Sequence, residues 1–279
     1  MKKYDLKIRP MYYACVSGGK DSLYMLGLIL NNLDKYPLDC VVHYELEIDW
    51  GWTKKVIDEM ERRCEKANIP FYRIKPKNSW DELYNKYSMP TRRCRWCNSK
   101  YKLDAERQLI EWIEKQNCRP VAYIGFCADE SKRFKYKIGE WKTQNICYPL
   151  AEENIEESTI LEWARQQTIF NDWYLYFNRQ GCMLCPMISR KELAYMFKYE
   201  RESFEKYFKC VEEWEVKYNN TFWHKPCKQI RNIIIFKWLP ILEKEERKMK
   251  NGRIENSEHN KHHQQGTQRT RNKNQILWN

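Results

Sequence analysis

An α/β fold with a mostly parallel sheet is predicted by two features of the 279-residue chain. First, an apolar, β-leaning run at residues 11–16 passes through Ser17-Gly18-Gly19-Lys20-Asp21-Ser22 into an almost wholly apolar segment of helical length, residues 23–30. Second, strand-like and helix-like patterns then alternate with short connections, the signature of parallel βαβ units. In such sheets ligands bind beyond the carboxyl ends of the strands. The 17–22 loop lies at that edge.

The loop itself predicts a phosphate site. Between a strand and a helix it aims backbone N–H groups and the positive end of the helix at one spot, and its adjacent glycines remove side chains that would hold an anion off. It is not a Walker loop, which needs four residues between its first Gly and a Gly-Lys-Ser/Thr.

Further along, residues 38–46 read as a second strand, ending at Glu47-Ile48-Asp49-Trp50. Residues 53–67 read as a charged helix with Val56, Ile57, Met60 and Cys64 at helical spacing, and residues 69–74 as a third strand. Pro76, Asn78, Ser79, Ser88 and Pro90 mark 75–93 as a loop or short helix that covers a ligand. A helix over 103–114 and a strand over 120–126 follow, the latter closed by Cys127-Ala128-Asp129-Glu130-Ser131-Lys132-Arg133; a further helix is expected at about 158–167. The nucleotide-binding core is therefore assigned to residues 1–190. Residues 191–216 and 228–250 read as two amphipathic helices forming a helical appendage over 191–250. Residues 251–279 are polar and basic, and are expected to be disordered.

Fifty Lys and Arg against 38 Asp and Glu give a net charge of +12, a field that favours anionic partners such as nucleotides or nucleic acid. The longest apolar run is too short to span a bilayer and the amino-terminal residues lack a signal-peptide core, so no membrane association and a cytoplasmic location are expected. Twelve cysteines then argue for metal or redox chemistry rather than a disulfide framework. The 12 Trp and 19 Tyr read mainly as packing residues.

Cys94-x-x-Cys97 and Cys182-x-x-Cys185 each have the spacing that lets two thiolates share a metal. Together they supply four sulfur ligands, the complement of a 4Fe-4S cluster or of tetrahedral zinc, and spacing leaves that choice open. Arg92, Arg93, Arg95 and Lys100 surround the first pair with positive charge, which favours thiolates. The isolated cysteines read mostly as small core residues, with one near the ligand, such as Cys127, open to a reactive role. None of the five histidines reads as a ligand, His43 being taken as a packed strand residue.

Ser-Gly-Gly-Lys-Asp-Ser after a strand resembles the pyrophosphate-binding loop of the PP-loop ATP pyrophosphatases. Three more segments, in order, resemble the phosphoadenosine phosphosulfate (PAPS) reductase family within that superfamily: residues 124–133 (Ile-Gly-Phe-Cys-Ala-Asp-Glu-Ser-Lys-Arg), Tyr148-Pro149-Leu150, and Gly181-Cys182-Met183-Leu184-Cys185-Pro186, which is similar to the motif of its iron–sulfur members. The similarity covers about residues 8–190. It implies a doubly wound sheet of the adenine nucleotide alpha hydrolase-like type with an adenosine nucleotide at the switch point. On that carry-over Ser17, Gly18, Gly19, Asp21 and Ser22 cradle phosphates and Lys20 adds charge, with Lys20 and Asp21 as the catalytic pair. Glu130, Ser131 and Arg133 complete the pocket, Glu130 orienting Arg133 or a bound Mg²⁺.

Nothing after Pro186 matches the Glu-Cys-Gly-x-His segment that carries the nucleophilic cysteine of the family's reductases. The two Cys-x-x-Cys pairs look more like members that combine ATP with an iron–sulfur cluster in sulfur transfer. The leading expectation is an adenylating sulfurtransferase that uses ATP, with nucleic acid as one acceptor class and a separate protein as sulfur donor. Reduction of PAPS or adenylyl sulfate is the second expectation. A zinc-stabilised nucleic-acid-binding protein with a vestigial nucleotide site is the third.

Overall fold

β1 (Pro10–Val16), β2 (Cys40–Tyr44), β3 (Phe71–Ile74), β4 (Arg119–Tyr123) and β5 (Ile146–Cys147) form one sheet in the order β3-β2-β1-β4-β5, and every pairing is parallel. The chain builds outward from β1 to β3, then returns to the other side of β1 for β4 and β5. The strand order therefore reverses between β1 and β4, which makes the crevice beyond their carboxyl ends the place for a ligand. The computed structural model from which this is read describes residues 7–134 and 145–249. The expected disorder of 251–279 lies outside them.

The described residues fall into two compact units, one of residues 7–83, 96–134 and 145–182, the other of 84–95 and 183–249. In the first unit, Tyr13 of β1, Cys40 and Val42 of β2 and Ala122 of β4 pack with Leu109 and Ile113 of α4 (Leu103–Lys115). The alternate residues Ala14, Val16 and Val41 point to the opposite face and are also buried. Burial on both faces is why these strands read as continuous apolar runs. α1 (Lys20–Leu30) has an almost unbroken run of buried residues and packs against α2 (Gly51–Lys66) and against the short α5 (Pro149–Glu152) and α6 (Glu157–Arg165).

Within residues 75–93 a helix forms, α3 (Trp80–Tyr87). Ser79 and Glu82 cap it reciprocally, Glu82 N donating to Ser79 Oγ (3.1 Å) and Ser79 N to Glu82 Oε2 (2.8 Å). β4 stops at Tyr123 rather than running to Phe126, because β5 offers only Ile146 and Cys147 as partners. The chain then leaves the sheet through Gly125 into a 3₁₀ turn, Ala128–Arg133. The last helix of this unit, α7 (Trp173–Tyr176), leads into the segment that carries Cys182.

In the second unit the amphipathic stretch 191–216 is two helices, α8 (Arg190–Tyr199) and α9 (Arg201–Tyr218), separated at Glu200, whose backbone leaves the helical region (φ −134°, ψ 57°). The break lets Phe197 and Phe204 meet edge to face at 5.0 Å, with the Arg201 guanidinium 4.0 Å from the Phe197 ring. α10 (Cys227–Ile233) continues through a wider turn at Ile234–Trp238, and helix runs on to residue 249. Among the described residues no helix is long and apolar enough to cross a membrane.

Candidate functional site

At the end of β1 the chain turns through Ser17 and Gly18 into α1, and the turn is closed by Ser22. Ser22 Oγ donates to Gly19 O (2.9 Å) and accepts from Ser17 N (3.2 Å). Gly18 has φ +74°, and a Cβ there would lie 2.6 Å from Thr53 Cγ2, so glycine is required on both conformational and steric grounds. Gly19 caps the 11-residue α1 without a side-chain hydrogen bond, so N–H groups of its first turn beyond that of Lys20 face an anion.

Lys20, only 2% exposed, turns its ammonium to two carboxylates: Asp21 Oδ1 at 2.7 Å and Glu157 Oε1 at 3.1 Å. Burial works against its charge, but these two carboxylates outweigh it and hold the pKa above its usual value. Asp21 is also raised, by burial first, with Lys20 only partly offsetting it and Glu130 and Glu157 adding repulsion. Its Oδ1 also accepts from the Cys127 thiol (3.7 Å). Cys127 is fully buried, and burial together with Asp21 and Glu130 keeps its proton on, so the reactive thiol expected there is not what its surroundings favour.

From β4, Gly125 passes so close to α1 that a Cβ would lie 3.2 Å from the Asp21 carbonyl. Glu130 accepts from Cys127 N (3.1 Å) and is paired with Arg133, whose guanidinium lies 4.0 Å from the Phe126 ring centre. Ser17, Gly19, Lys20, Asp21, Ser22, Glu130 and Arg133 line one cavity of about 690 Å³, within the size range of small-molecule and nucleotide sites. Gly18 faces Thr53 and Ile57 instead, and Ser131 is exposed and outside the lining.

The cavity also has walls that the sequence does not assign to the site, including His43, Asp49, Lys102, Glu157, Tyr174 and Arg179. Tyr174 Oη accepts from Lys20 N at 2.9 Å. Asp49 is pushed up to about 6 by burial, which Lys102 and the Leu46 amide offset only in part. The 179–182 segment is tied down at three points. Trp173 Nε1 donates to Arg179 O (2.8 Å), Gln180 Nε2 to Thr53 Oγ1 (2.6 Å) and Trp50 Nε1 to Gly181 O (2.7 Å). Two of the 12 tryptophans, Trp50 and Trp173, thus fix the backbone that leads to Cys182. Adjacency of Trp50 to the end of the 38–46 run was the available signal.

Cys182 itself lines the cavity, and it and Cys97, which opens the turn before α4, belong to the first unit and are 7% and 6% exposed. Cys94 and Cys185 belong to the second unit. There Cys94 N donates to Thr91 Oγ1 (3.0 Å), and Met187 N donates to Cys185 Sγ (3.4 Å). An N–H aimed at sulfur favours the thiolate form. Tyr207 Oη is fully buried without a hydrogen-bond partner among the described residues, within electrostatic reach of Cys185 and Arg92. Among the described residues no three His, Cys, Asp or Glu side chains are gathered as a metal site.

The chain is similar to two uncharacterised proteins of Methanocaldococcus jannaschii. One is 29% identical over 218 residues, 75% of this chain and 42% of that protein; the other is 25% identical over 223 residues, 74% of this chain and 50% of that protein. The chain thus spans half or less of the length of these relatives. The solved structure of U34-tRNA thiolase NcsA from Methanococcus maripaludis with its 4Fe-4S cluster aligns over 85% of this chain and 74% of that one, at 18% identity and a TM-score of 0.38. The five-stranded parallel sheet is of the PP-loop type. Residues 11–188 match the phosphoadenosine phosphosulfate reductase domain, and the chain belongs to that family.

Proposed function

We propose that the chain is an ATP-dependent sulfur-transfer enzyme. The observation that carries this reading is that Cys182, from the second Cys-x-x-Cys pair, lines the same cavity as the 17–22 loop. Sulfur chemistry and phosphate chemistry therefore share one chamber. Transfer needs that arrangement, since the acceptor must be activated and then sulfurated without leaving.

An oxygen of the acceptor attacks the α-phosphorus of ATP, forming an acceptor–AMP ester and expelling pyrophosphate. The first-turn backbone N–H groups beyond that of Lys20, which already donates to Tyr174, and the positive end of α1 hold the pyrophosphate as its charge develops. Three carboxylates, Asp21, Glu130 and Glu157, face the cavity beside this site. Mg²⁺ would relieve their repulsion toward a triphosphate, and Asp21, the carboxylate on the loop, is the residue that would hold it. Lys20 balances Asp21 and Glu157, holding the first turn of α1 in place. Sulfur then attacks the activated carbon and AMP leaves.

The four-sulfur set at Cys94, Cys97, Cys182 and Cys185 rests on its spacing and donor chemistry. A 4Fe-4S cluster held by these four cysteines would supply a site at which sulfur is bound and activated. The basic composition supports nucleic acid as the acceptor class, with sulfur delivered by a donor protein.

The test is release of pyrophosphate and AMP from ATP by anaerobically purified protein, with bulk tRNA as acceptor and sulfide as donor. The expected result is pyrophosphate release that depends on RNA, with incorporation of sulfur into it. Cys182→Ser is expected to keep the pyrophosphate-releasing half-reaction and lose sulfur incorporation. Turnover of PAPS or adenylyl sulfate with thioredoxin, and none of ATP, would establish the reductase reading instead.

A further inference from the structure

His43 stands at the carboxyl end of β2, 5% exposed, and lines the cavity. In the sheet it pairs with Val16, the residue that enters the phosphate loop, so one strand spacing separates it from that loop. Its Nδ1 lies 3.0 Å from Val16 O. A carbonyl oxygen only accepts, so Nδ1 carries the proton and the neutral ring keeps its lone pair on Nε2. No group among the described residues hydrogen-bonds Nε2. Burial, aided by Arg73 and opposed by the Val16 bond and Glu45, holds the pKa below its usual value, so the ring stays neutral at pH 7.

A lone pair that opens onto a ligand cavity is matched by an O–H or N–H of the ligand that displaces water from it. Phosphate oxygens supply neither, and the loop already offers them N–H groups. The nucleoside end of the same ligand supplies both, as ribose hydroxyls and as the amino group of the base. We infer that His43 Nε2 accepts a hydrogen bond from the nucleoside of a nucleotide whose phosphates rest on the 17–22 loop. His43 is then a specificity-determining residue, locked in the accepting tautomer by the backbone of β1. This rests on the nucleotide reading above.

The experiment is calorimetric titration of the full chain, with Mg²⁺, using ATP, 2′-deoxy-ATP, 3′-deoxy-ATP, inosine triphosphate and inorganic pyrophosphate. His43→Asn keeps a donor for Val16 O but has nothing at the Nε2 position, whereas His43→Gln places an amide there. His43→Asn is expected to weaken ATP about tenfold and leave pyrophosphate unchanged, with His43→Gln recovering part of the loss. The one analogue that binds the wild type about tenfold more weakly than ATP, and His43→Asn no worse than ATP does, names the donor.

Equal ATP affinity in wild type and His43→Asn overturns the inference and leaves the nucleotide reading standing. So does an equal loss for pyrophosphate, which would make His43 a support of the loop. Binding of none of these nucleotides to the wild type overturns both. If His43→Asn does not fold, equal affinity of the wild type for all four nucleoside triphosphates overturns the inference without it.

Discussion

The Lys20 ammonium and the Asp21 carboxylate, neighbours in sequence at the first turn of α1, are paired at 2.7 Å with Lys20 almost wholly buried. A lysine read from sequence as charge for the phosphates is thus also a structural cation, shared with Glu157. Removing one partner of a buried pair costs about 3–5 kcal/mol, and the 34% and 41% exposures of Asp21 and Glu157 bring the cost for this pair below that range. Lys20→Ala is expected to lower unfolding free energy by about 2–3 kcal/mol, measured by urea titration, as well as abolish pyrophosphate release. An unchanged urea midpoint would show that the pair contributes nothing to the fold.

At Gly18 two costs are superimposed, a positive φ and a collision with Thr53 Cγ2. Gly18→Ala is expected to destabilise by about 2–4 kcal/mol, of which the left-handed backbone accounts for about 1–2. Thr53→Ser removes the colliding methyl and keeps the hydroxyl that accepts from Gln180. The double variant Gly18→Ala/Thr53→Ser should therefore recover the steric share alone, and a thermodynamic cycle from chemical denaturation separates the two.

What could be read from sequence was local. The strand-loop-helix at 11–30 and the alternation that follows are patterns within a few residues of one another, and the sheet bears them out. Contacts between distant residues left no trace: Lys20 with Glu157, Lys20 N with Tyr174, Gln180 with Thr53. His43 was read as packing because a strand pattern does not show which polar residue meets a cavity. The break at Glu200 escaped because no Gly or Pro marks it, and the aromatic contact that stabilises it becomes visible only after folding.

Asp49 makes stability depend on pH in a direction that can be assigned. Burial pushes its carboxyl from the usual 3.8 up to about 6, so the neutral form is favoured by folding. The stability this provides is complete below about pH 4 and is lost as pH rises through 6, by at most about 2–3 kcal/mol. Asp49→Asn keeps an acceptor for the Leu46 amide and does not titrate. Urea unfolding at pH 4 should therefore give similar stabilities for the two proteins, and at pH 7.5 the variant should be the more stable. A gap that is constant with pH would place Asp49 in solvent.

The four paired cysteines make the sharpest chemical prediction. Four thiolates in two Cys-x-x-Cys pairs suit a 4Fe-4S cluster or a tetrahedral zinc, and the two differ in colour and stoichiometry. Protein purified without oxygen is expected to show a broad absorption near about 400 nm, with about four iron and four sulfide per chain. Cys94→Ser and Cys182→Ser should each lose that iron while the fold persists by circular dichroism, because the parallel sheet and the 17–22 loop do not depend on either thiol. One tightly held zinc without iron would make the cysteines structural and leave the chemistry to the loop. Four freely titratable thiols with no metal would end the sulfur-handling proposal, since Cys182 would then face the cavity without a partner in that chemistry.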